Sequence, residues 1–279
     1  MVPCFYMKKV LIFSLAYYPH HVGGAEVAIK EITDRITPED IQFHMVTLRF
    51  DSTLPQVEKI GNVLVHRIGF TKDRPSMADL GKLPLYLNKI IFQFSAAWEA
   101  RRLHKKYQYD AVWAMMAHGT GIPAGLFKTW NPKVPYVLTL QEGDPISHIK
   151  KKMLLLWPLF VRGFTKADLI QPISTFLATW ARDMGYKGHV EIVPNAVDTA
   201  HFSQEYPKEE LDALKQKLGK KLDEKYIITT SRLVHKNAID DVIVALAGLP
   251  ETVKFLILGS GPDETALKDL AKENGVSDR

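Results

Sequence analysis

The residues best suited to chemistry lie on three loops, two of them glycine-bearing and one carrying a pair of cations four positions apart. The first loop is Pro19-His-His-Val-Gly23-Gly24-Ala-Glu26, which follows an apolar run and opens a helical pattern. Glycines let a backbone approach a ligand closely, and a helix N-terminus offers free N–H groups and a partial positive charge. That combination suits a phosphate; a tight turn with no ligand is the plain alternative. The second loop is Ser231-Arg232-Leu-Val-His-Lys236, between a strand pattern and a helix pattern. Arg232 offers a planar fork and Lys236 a compact point charge, a pair suited to a diphosphate. Two solvated loop cations would look the same. The third loop, Leu258-Gly259-Ser-Gly261-Pro262, can border a nucleotide or simply turn the chain.

Two further candidates come after other apolar runs. Gln141-Glu142-Gly-Asp144-Pro145 places carboxylates where they can act as general bases or accept hydrogen bonds from sugar hydroxyls. Loop capping explains them equally well. His118 is a candidate acid or base, or a structural histidine. H-E-x-x-H, G-x-S-x-G and D-x-D patterns are missing from the sequence, so no metal is expected. The segment from Lys150 to Arg162 is basic and then apolar with a tryptophan, as in a helix lying on an anionic bilayer or a core helix with a charged lead-in.

The elements that must position these residues alternate in type. Apolar runs at Val10–Ser14, Phe43–Leu48, Val63–Ile68, Ala111–Met115, Tyr136–Leu140, Leu169–Pro172 and Val190–Val193 read as strands. Helical patterns at Ala25–Ile36, Leu85–Tyr107, Gly121–Trp130, Lys151–Thr165 and Thr175–Met184 separate most of them, and residues 69–82 read as a loop. After Pro194-Asn195 come strands at Tyr226–Ser231 and Lys254–Leu258, with helices at Leu211–Leu218, Ala238–Ala247 and Glu264–Asn274. Uniformly apolar strands alternating with helices predict α/β architecture with parallel sheets covered on both faces. The pattern divides into two Rossmann-like domains, residues 1–195 and 196–279, the second with too few strands to close a core. The chain is therefore expected to be C-terminally truncated.

Composition narrows the classes. The 279 residues are 46% hydrophobic and 24% charged, which excludes disorder, collagen and coiled coil as the main state. The lone Cys4 excludes a disulfide framework and a cysteine-rich zinc site. Lys8-Lys9 and the apolar Val10–Ala16 run resemble a short signal peptide, but a first buried strand also explains the Gly pair and the helical pattern after it. Residues 1–190 carry 24 Lys and Arg against 15 Asp and Glu, net +9, whereas residues 191–279 are net −4. The basic part invites an anionic partner such as a phosphorylated substrate or a membrane surface. Basic and aromatic residues are not interleaved, so nucleic acid is not expected.

Five segments in order resemble the retaining glycosyltransferases of family 4, which have the GT-B fold. They are Pro19…Gly23-Gly24-Ala-Glu26, Ala167-Asp-Leu-Ile-Gln-Pro-Ile-Ser174, Val193-Pro-Asn-Ala-Val-Asp198…Phe202, Ser231-Arg-Leu-Val-His-Lys236 and Leu256-Ile-Leu-Gly-Ser-Gly-Pro262. The resemblance implies an acceptor-side first domain and a second domain that holds a nucleotide-sugar. It implies that Gly23 and Gly24 approach the donor diphosphate, that Arg232 and Lys236 bind it, and that Gly259 and Gly261 line the nucleotide. Gln141 stands where many members carry a histidine near the reacting sugar, so an acid–base role there is doubtful. Ala196 replaces the usual glycine after Pro-Asn, and Asn237-Ala238 replaces a commoner Lys-Gly. The family's Glu-x7-Glu motif lies past Arg279. The implied activity is sugar transfer to a glycan or lipid-linked acceptor, without a cofactor beyond the donor and with little turnover by this chain alone. The implied setting is the cytoplasm, peripheral on the inner membrane face, in cell-envelope glycan synthesis. A nucleotide-sugar epimerase and a non-catalytic glycan or nucleotide binder are the competing readings.

Overall fold

A computed structural model describes residues 7–19, 23–76 and 79–279. Cys4 and the His20–Val22 part of the first loop lie outside them. The chain divides into two compact units, residues 1–196 and 197–279.

The first unit runs β1 (Lys8–Phe13), α1 (Gly24–Asp34), β2 (Ile41–Leu48), β3 (Val57–Ile60), β4 (Val63–Ile68), α2 (Leu85–Tyr107), β5 (Ala111–Met115) and α3 (Ala117–Trp130). It continues with β6 (Tyr136–Leu140), α4 (Ile146–Met153), α5 (Trp157–Thr165), β7 (Leu169–Pro172), α6 (Thr175–Asp183) and β8 (His189–Val190). One sheet holds all eight strands in the order β3-β4-β2-β1-β5-β6-β7-β8. Pairing is parallel throughout except between β3 and β4. Leu11, Ile12 and Phe13 are fully buried, as a central strand with both faces covered requires. The order reverses between β1 and β5, which marks the switch point where open α/β sheets bind ligands.

The two faces are covered unequally, which corrects the expectation of full cover. Side chains of α2, α3, α5 and α6 pack one large core around Phe92, Phe127, Phe160 and Trp180. On the other face α1 buries Ala25 and Ile29 against Ile12, Met45, Val65 and Met115. Beyond α1, the same face of β6 and β7 borders an open groove.

Three local differences from the sequence reading have clear causes. β3 is an edge strand that the pattern missed, turned into β4 by Gly61 at φ 55° and Asn62. The Asn62 amide donates to the Thr33 and Ile36 carbonyls and closes the end of α1. α3 begins at Ala117 rather than Gly121, because Met116, at φ 69°, turns the chain straight off β5. The single helix expected over Lys151–Thr165 is two helices joined by a 3-10 turn at Leu154–Leu156. Pro158 sits in the first turn of α5, where its missing N–H breaks no helical bond.

Pro123 lies inside α3 and cannot donate to the Gly119 carbonyl four residues back. The Gln93 amide of α2 donates to that carbonyl instead, at 3.2 Å, and locks α2 onto α3. α3 meets α5 at glycines: a Cβ on Gly163 would lie 2.7 Å from the Gly121 carbonyl group.

The second unit contains α7 (Thr199–Phe202), α8 (Lys208–Lys217), β9 (Lys225–Thr230), α9 (Ile239–Leu246), β10 (Val253–Leu258) and α10 (Glu264–Glu273). Its two strands pair in parallel, and its core gathers Leu233, Ile239, Ile243, Leu246, Phe255 and Val276. Ile228 and Leu258, in strands of this sheet, are 60% and 52% exposed.

This packing makes stability sensitive at two places. Gly163→Ala forces α5 away from α3 and is expected to cost about 1–3 kcal/mol, read as a lower urea midpoint at unchanged slope. His44 is buried beside His66 and bonded to the Tyr109 hydroxyl at 2.8 Å. Burial, then the His66, Lys9 and Lys106 charges, lower its pKa to about 4. The unfolded imidazole takes its proton near pH 6.5 and the folded one only near 4. The contribution of His44 to folding stability is therefore full above pH 6.5 and falls by up to about 3 kcal/mol as pH drops to 4. Urea midpoints that stay level between pH 7 and 5 would contradict this.

Candidate functional site

In a parallel sheet, the loops that leave strand ends toward crossover helices all emerge at one edge. In the first unit that edge carries Gly23 and Gly24 after β1, Met116–His118 after β5, and Gln141 and Glu142 after β6. The first intrahelical bond of α1 runs from the Val27 N–H to the Gly23 carbonyl, so the N–H groups of Gly24, Ala25 and Glu26 precede the ladder. The Glu26 carboxylate turns back and accepts the Gly23 N–H at 2.8 Å. A carboxylate thus already sits at the helix end where the sequence suggested a phosphate.

Gly24 and Gln141 are brought together. A Cβ on Gly24 would stand 3.6 Å from the Gln141 side-chain nitrogen. Both line a groove of ≈ 460 Å³ between α1 and residues 193–196, floored by β5, β6 and β7. A hydrogen-bonded chain crosses that floor. The Trp113 indole N–H donates to the Thr139 hydroxyl (2.8 Å), which donates to the Gln171 side-chain oxygen (2.9 Å). The Gln171 nitrogen then donates to the Val193 carbonyl (3.0 Å), tying the Pro194-Asn195 segment to the sheet. Val27, Ile32, Met115 and Ile173 supply apolar wall. The groove can hold a partly apolar, hydroxyl-bearing ligand, with Gln141 and Asn195 as amide contacts. Sequence reasoning missed Trp113, Thr139 and Gln171. The period-two alternation of strands was the available signal, since it puts Thr139 and Gln141, and Gln171 and Ile173, on one face.

Glu142 and His118, separate catalytic candidates in the sequence, meet in the structure. The Glu142 side chain is fully buried, and its Oε1 accepts the His118 backbone N–H at 3.3 Å in the first turn of α3. Glu142 is therefore corrected to a carboxylate facing a helix N-terminus, where the helix dipole stabilises it, and it is out of reach of a substrate hydroxyl. The His118 Nδ1 is 3.8 Å from the same oxygen, and its side chain is 17% exposed. His118 itself lies in the first turn of α3, ahead of the Gly121 start expected for that helix.

The Lys150–Arg162 segment also divides. Lys150, Lys151 and Lys152 are exposed on α4, whereas Phe160 of α5 is fully buried in the core. The apolar half is thus a core helix and not a bilayer-facing one. Leu154 and Leu155, between the halves, are 72% and 94% exposed.

In the second unit Arg232 and Lys236 are exposed on the loop after β9, at the carboxyl end of the strand. Gly259 and Gly261 explain how that loop is held. A Cβ on Gly259 would lie 1.9 Å from the Ser231 carbonyl oxygen, and one on Gly261 would lie 2.2 Å from that of Leu233. Ser231 donates to the Leu258 carbonyl (3.1 Å) and Leu233 to that of Ser260 (3.0 Å), which zips the two loops together. The Asn237 side chain donates to the Arg232 carbonyl at 2.6 Å and tightens the turn. Ala238 caps α9 at φ 51°, a conformation glycine adopts without strain.

Comparisons with known proteins fall along the same division. The model of Glycosyltransferase Family 4 matches residues 22–201, and that of Glycosyl transferases group 1 matches residues 211–279. An alpha-monoglucosyldiacylglycerol synthase of Streptococcus pneumoniae is 27% identical across 97% of this chain, which spans 60% of that protein. The synthase of the same name from Acholeplasma laidlawii is 30% identical across 96% of the chain, which spans 67% of it. Among solved structures, sucrose-phosphate synthase of Thermosynechococcus elongatus superposes with a TM-score of 0.67 at 15% identity, over 98% of this chain and 69% of its own. Anabaena HepE in complex with UDP superposes with a TM-score of 0.66 at 17% identity, over 98% and 68%. These likenesses carry the GT-B architecture.

Ala238→Gly is expected to stabilise the second unit. It relieves about 1–2 kcal/mol of left-handed strain, offset in part by greater freedom of the unfolded chain. A thermal or urea melt should show a small gain; a loss would mean that the Ala238 methyl packs productively.

Proposed function

The chain belongs to glycosyltransferase family 4, and from that premise we propose that its complete protein transfers a sugar from a nucleotide diphosphate donor to a glycan or lipid-linked hydroxyl, with retention at the anomeric carbon. One arrangement carries the reading. Arg232 and Lys236 stand exposed at a strand's carboxyl end, on a loop that Gly259 and Gly261 clamp by backbone contact. Fixed cations at such an edge are suited to a leaving group that gains charge.

Breaking the bond between the anomeric carbon and the phosphate oxygen leaves an oxocarbenium-like centre and a diphosphate of rising negative charge. Arg232 binds two phosphate oxygens through its fork, and Lys236 adds a point charge. Each contributes about 3 kcal/mol if its removal resembles loss of an oxyanion-hole donor. The acceptor oxygen bonds to the anomeric carbon from the face that the diphosphate leaves, and the departing phosphate takes the acceptor proton, so retention needs no covalent intermediate on a protein carboxylate. The two cations supply the charge that a divalent ion would otherwise supply, and the reaction proceeds without a metal.

The groove beside Gly24 takes the acceptor in this reading. Its apolar wall and its Gln141 and Asn195 amides suit a hydroxyl-bearing headgroup with apolar parts. The two glucosyldiacylglycerol synthases among the relatives support a lipid-linked acceptor, and UDP in the HepE structure supports a nucleotide diphosphate donor. Glu142 has a positioning role, holding the start of α3, and His118 beside it is the candidate for a sugar hydroxyl contact. Among the described residues no helix is long and apolar enough to cross a membrane. A peripheral place on the cytoplasmic membrane face, in envelope glycan synthesis, fits this acceptor.

In the complete protein, Arg232→Ala and Lys236→Ala should each lower turnover at least about tenfold, with transfer unaffected by EDTA. Kinetics equal to wild type in both variants would remove the assignment. Product formed without an acceptor would favour an epimerase instead.

A further inference from the structure

The outer face of α2 is apolar where a solvent-facing helix is ordinarily polar. Tyr86 is 50% exposed, Ile90 47%, Phe94 40% and Trp98 64%. With Leu87 and Ile91 they fall within an arc of about 140° and span about 18 Å of helix. Contiguous apolar surface of this kind marks an interaction site.

The rotation of α2 is fixed by its inner face. Asn88 is buried and exchanges hydrogen bonds with the backbone of Phe70, both at 2.7 Å. Gln93 is buried and donates to the Gly119 carbonyl that Pro123 leaves unserved. Polar side chains therefore point inward and are bonded there, while the large apolar ones point outward. Turning the helix to bury the stripe would break all three bonds.

Charge identifies what covers the stripe. Residues 80–98 and 145–162 contain no Asp or Glu, yet hold Lys82, Lys89, Lys150, Lys151 and Lys152. Burial, and then the Lys152 charge, lower the Lys89 pKa, so the α4 cations act on α2. Asp144 lies 3.8 Å from Lys152 of that cluster. At the far end of the stripe Trp98 meets Trp130 edge-on, and Arg101 lies over the Trp130 ring at 5.5 Å. Amphipathic aromatic and cationic side chains of this kind suit the headgroup level of a bilayer. A second copy docking symmetrically through this face would bring two lysine clusters together, with Asp144 already beside Lys152 of its own cluster.

We propose that the outer face of α2, with the lysines of α4 and the exposed Leu154 and Leu155 beside them, docks on an anionic lipid bilayer. The stripe lies at the boundary of headgroups and acyl chains, and the lysines neutralise lipid phosphates. The inference rests on the peripheral membrane placement proposed above and names the surface that makes it. Its test needs no catalysis, so it fails separately from the transfer reading.

Co-sedimentation of the chain with vesicles of phosphatidylglycerol and phosphatidylcholine should show binding that pure phosphatidylcholine does not. Combined Ile90→Ser and Phe94→Ser should weaken it at least about tenfold, and so should serine at Lys150, Lys151 and Lys152 together. Both sets alter only exposed side chains, and thermal melts check that they fold. Brominated phosphatidylglycerol should quench wild-type tryptophan emission, and Trp98→Phe should remove most of that quenching. Loss of binding in the lysine variant alone, with quenching absent, would mean simple electrostatic adsorption and overturn insertion of α2. So would no vesicle binding at all, or a solution dimer that Ile90→Ser and Phe94→Ser dissociate.

Discussion

A parallel sheet sends the chain back to the same edge after every strand, and the functional reading of the first unit depends on that constraint. β1, β5, β6 and β7 release Gly24, Met116, Gln141 and Ile173 at a common rim. Residues far apart in sequence become neighbours because strand polarity leaves them no other place. The sheet also accounts for the groove. α1 covers the β1 side of its face, and the hydrogen-bonded chain from Trp113 to Val193 floors what α1 leaves open.

The second unit applies a related constraint on a smaller scale. Two loops leaving adjacent parallel strands run so close that only glycine fits at positions 259 and 261. These glycines are best understood through the loop they fix. The Ser231–Leu233 backbone is held by ladder-like bonds, and Arg232 is carried on it. Preorganisation of this kind lets a cation act on a developing charge without first ordering its own loop.

The helices show how one local defect propagates. Pro123 removes a donor from α3, Gln93 replaces it, and with the Asn88 bonds to Phe70 this contact helps set the rotation of α2. The apolar residues that this rotation turns outward then need a cover of their own. A core position and a surface property are thereby linked through one orphaned carbonyl.

Much of the architecture was legible in the sequence, because uniformly apolar strands alternating with helical patterns have few parallel solutions. The limits of α2, β5, β6 and β7 matched the pattern directly. β3 escaped, because a short edge strand buries little and its signal was only a Gly-Asn turn. The split at Leu154 escaped because hydropathy does not register a 3-10 turn between two helices. The glycine loops, Arg232, Lys236 and Gln141 were singled out by residue type, since their chemistry is local. What each side chain faces was decided by the tertiary structure alone. Only packing buries Glu142 against a helix end, gathers Thr139 and Gln171 into the groove floor, and turns Asn88 and Gln93 inward while Phe94 and Trp98 face out. Periodicity specifies that a helix has two faces; the hydrogen bonds available from its neighbours specify which one is inside.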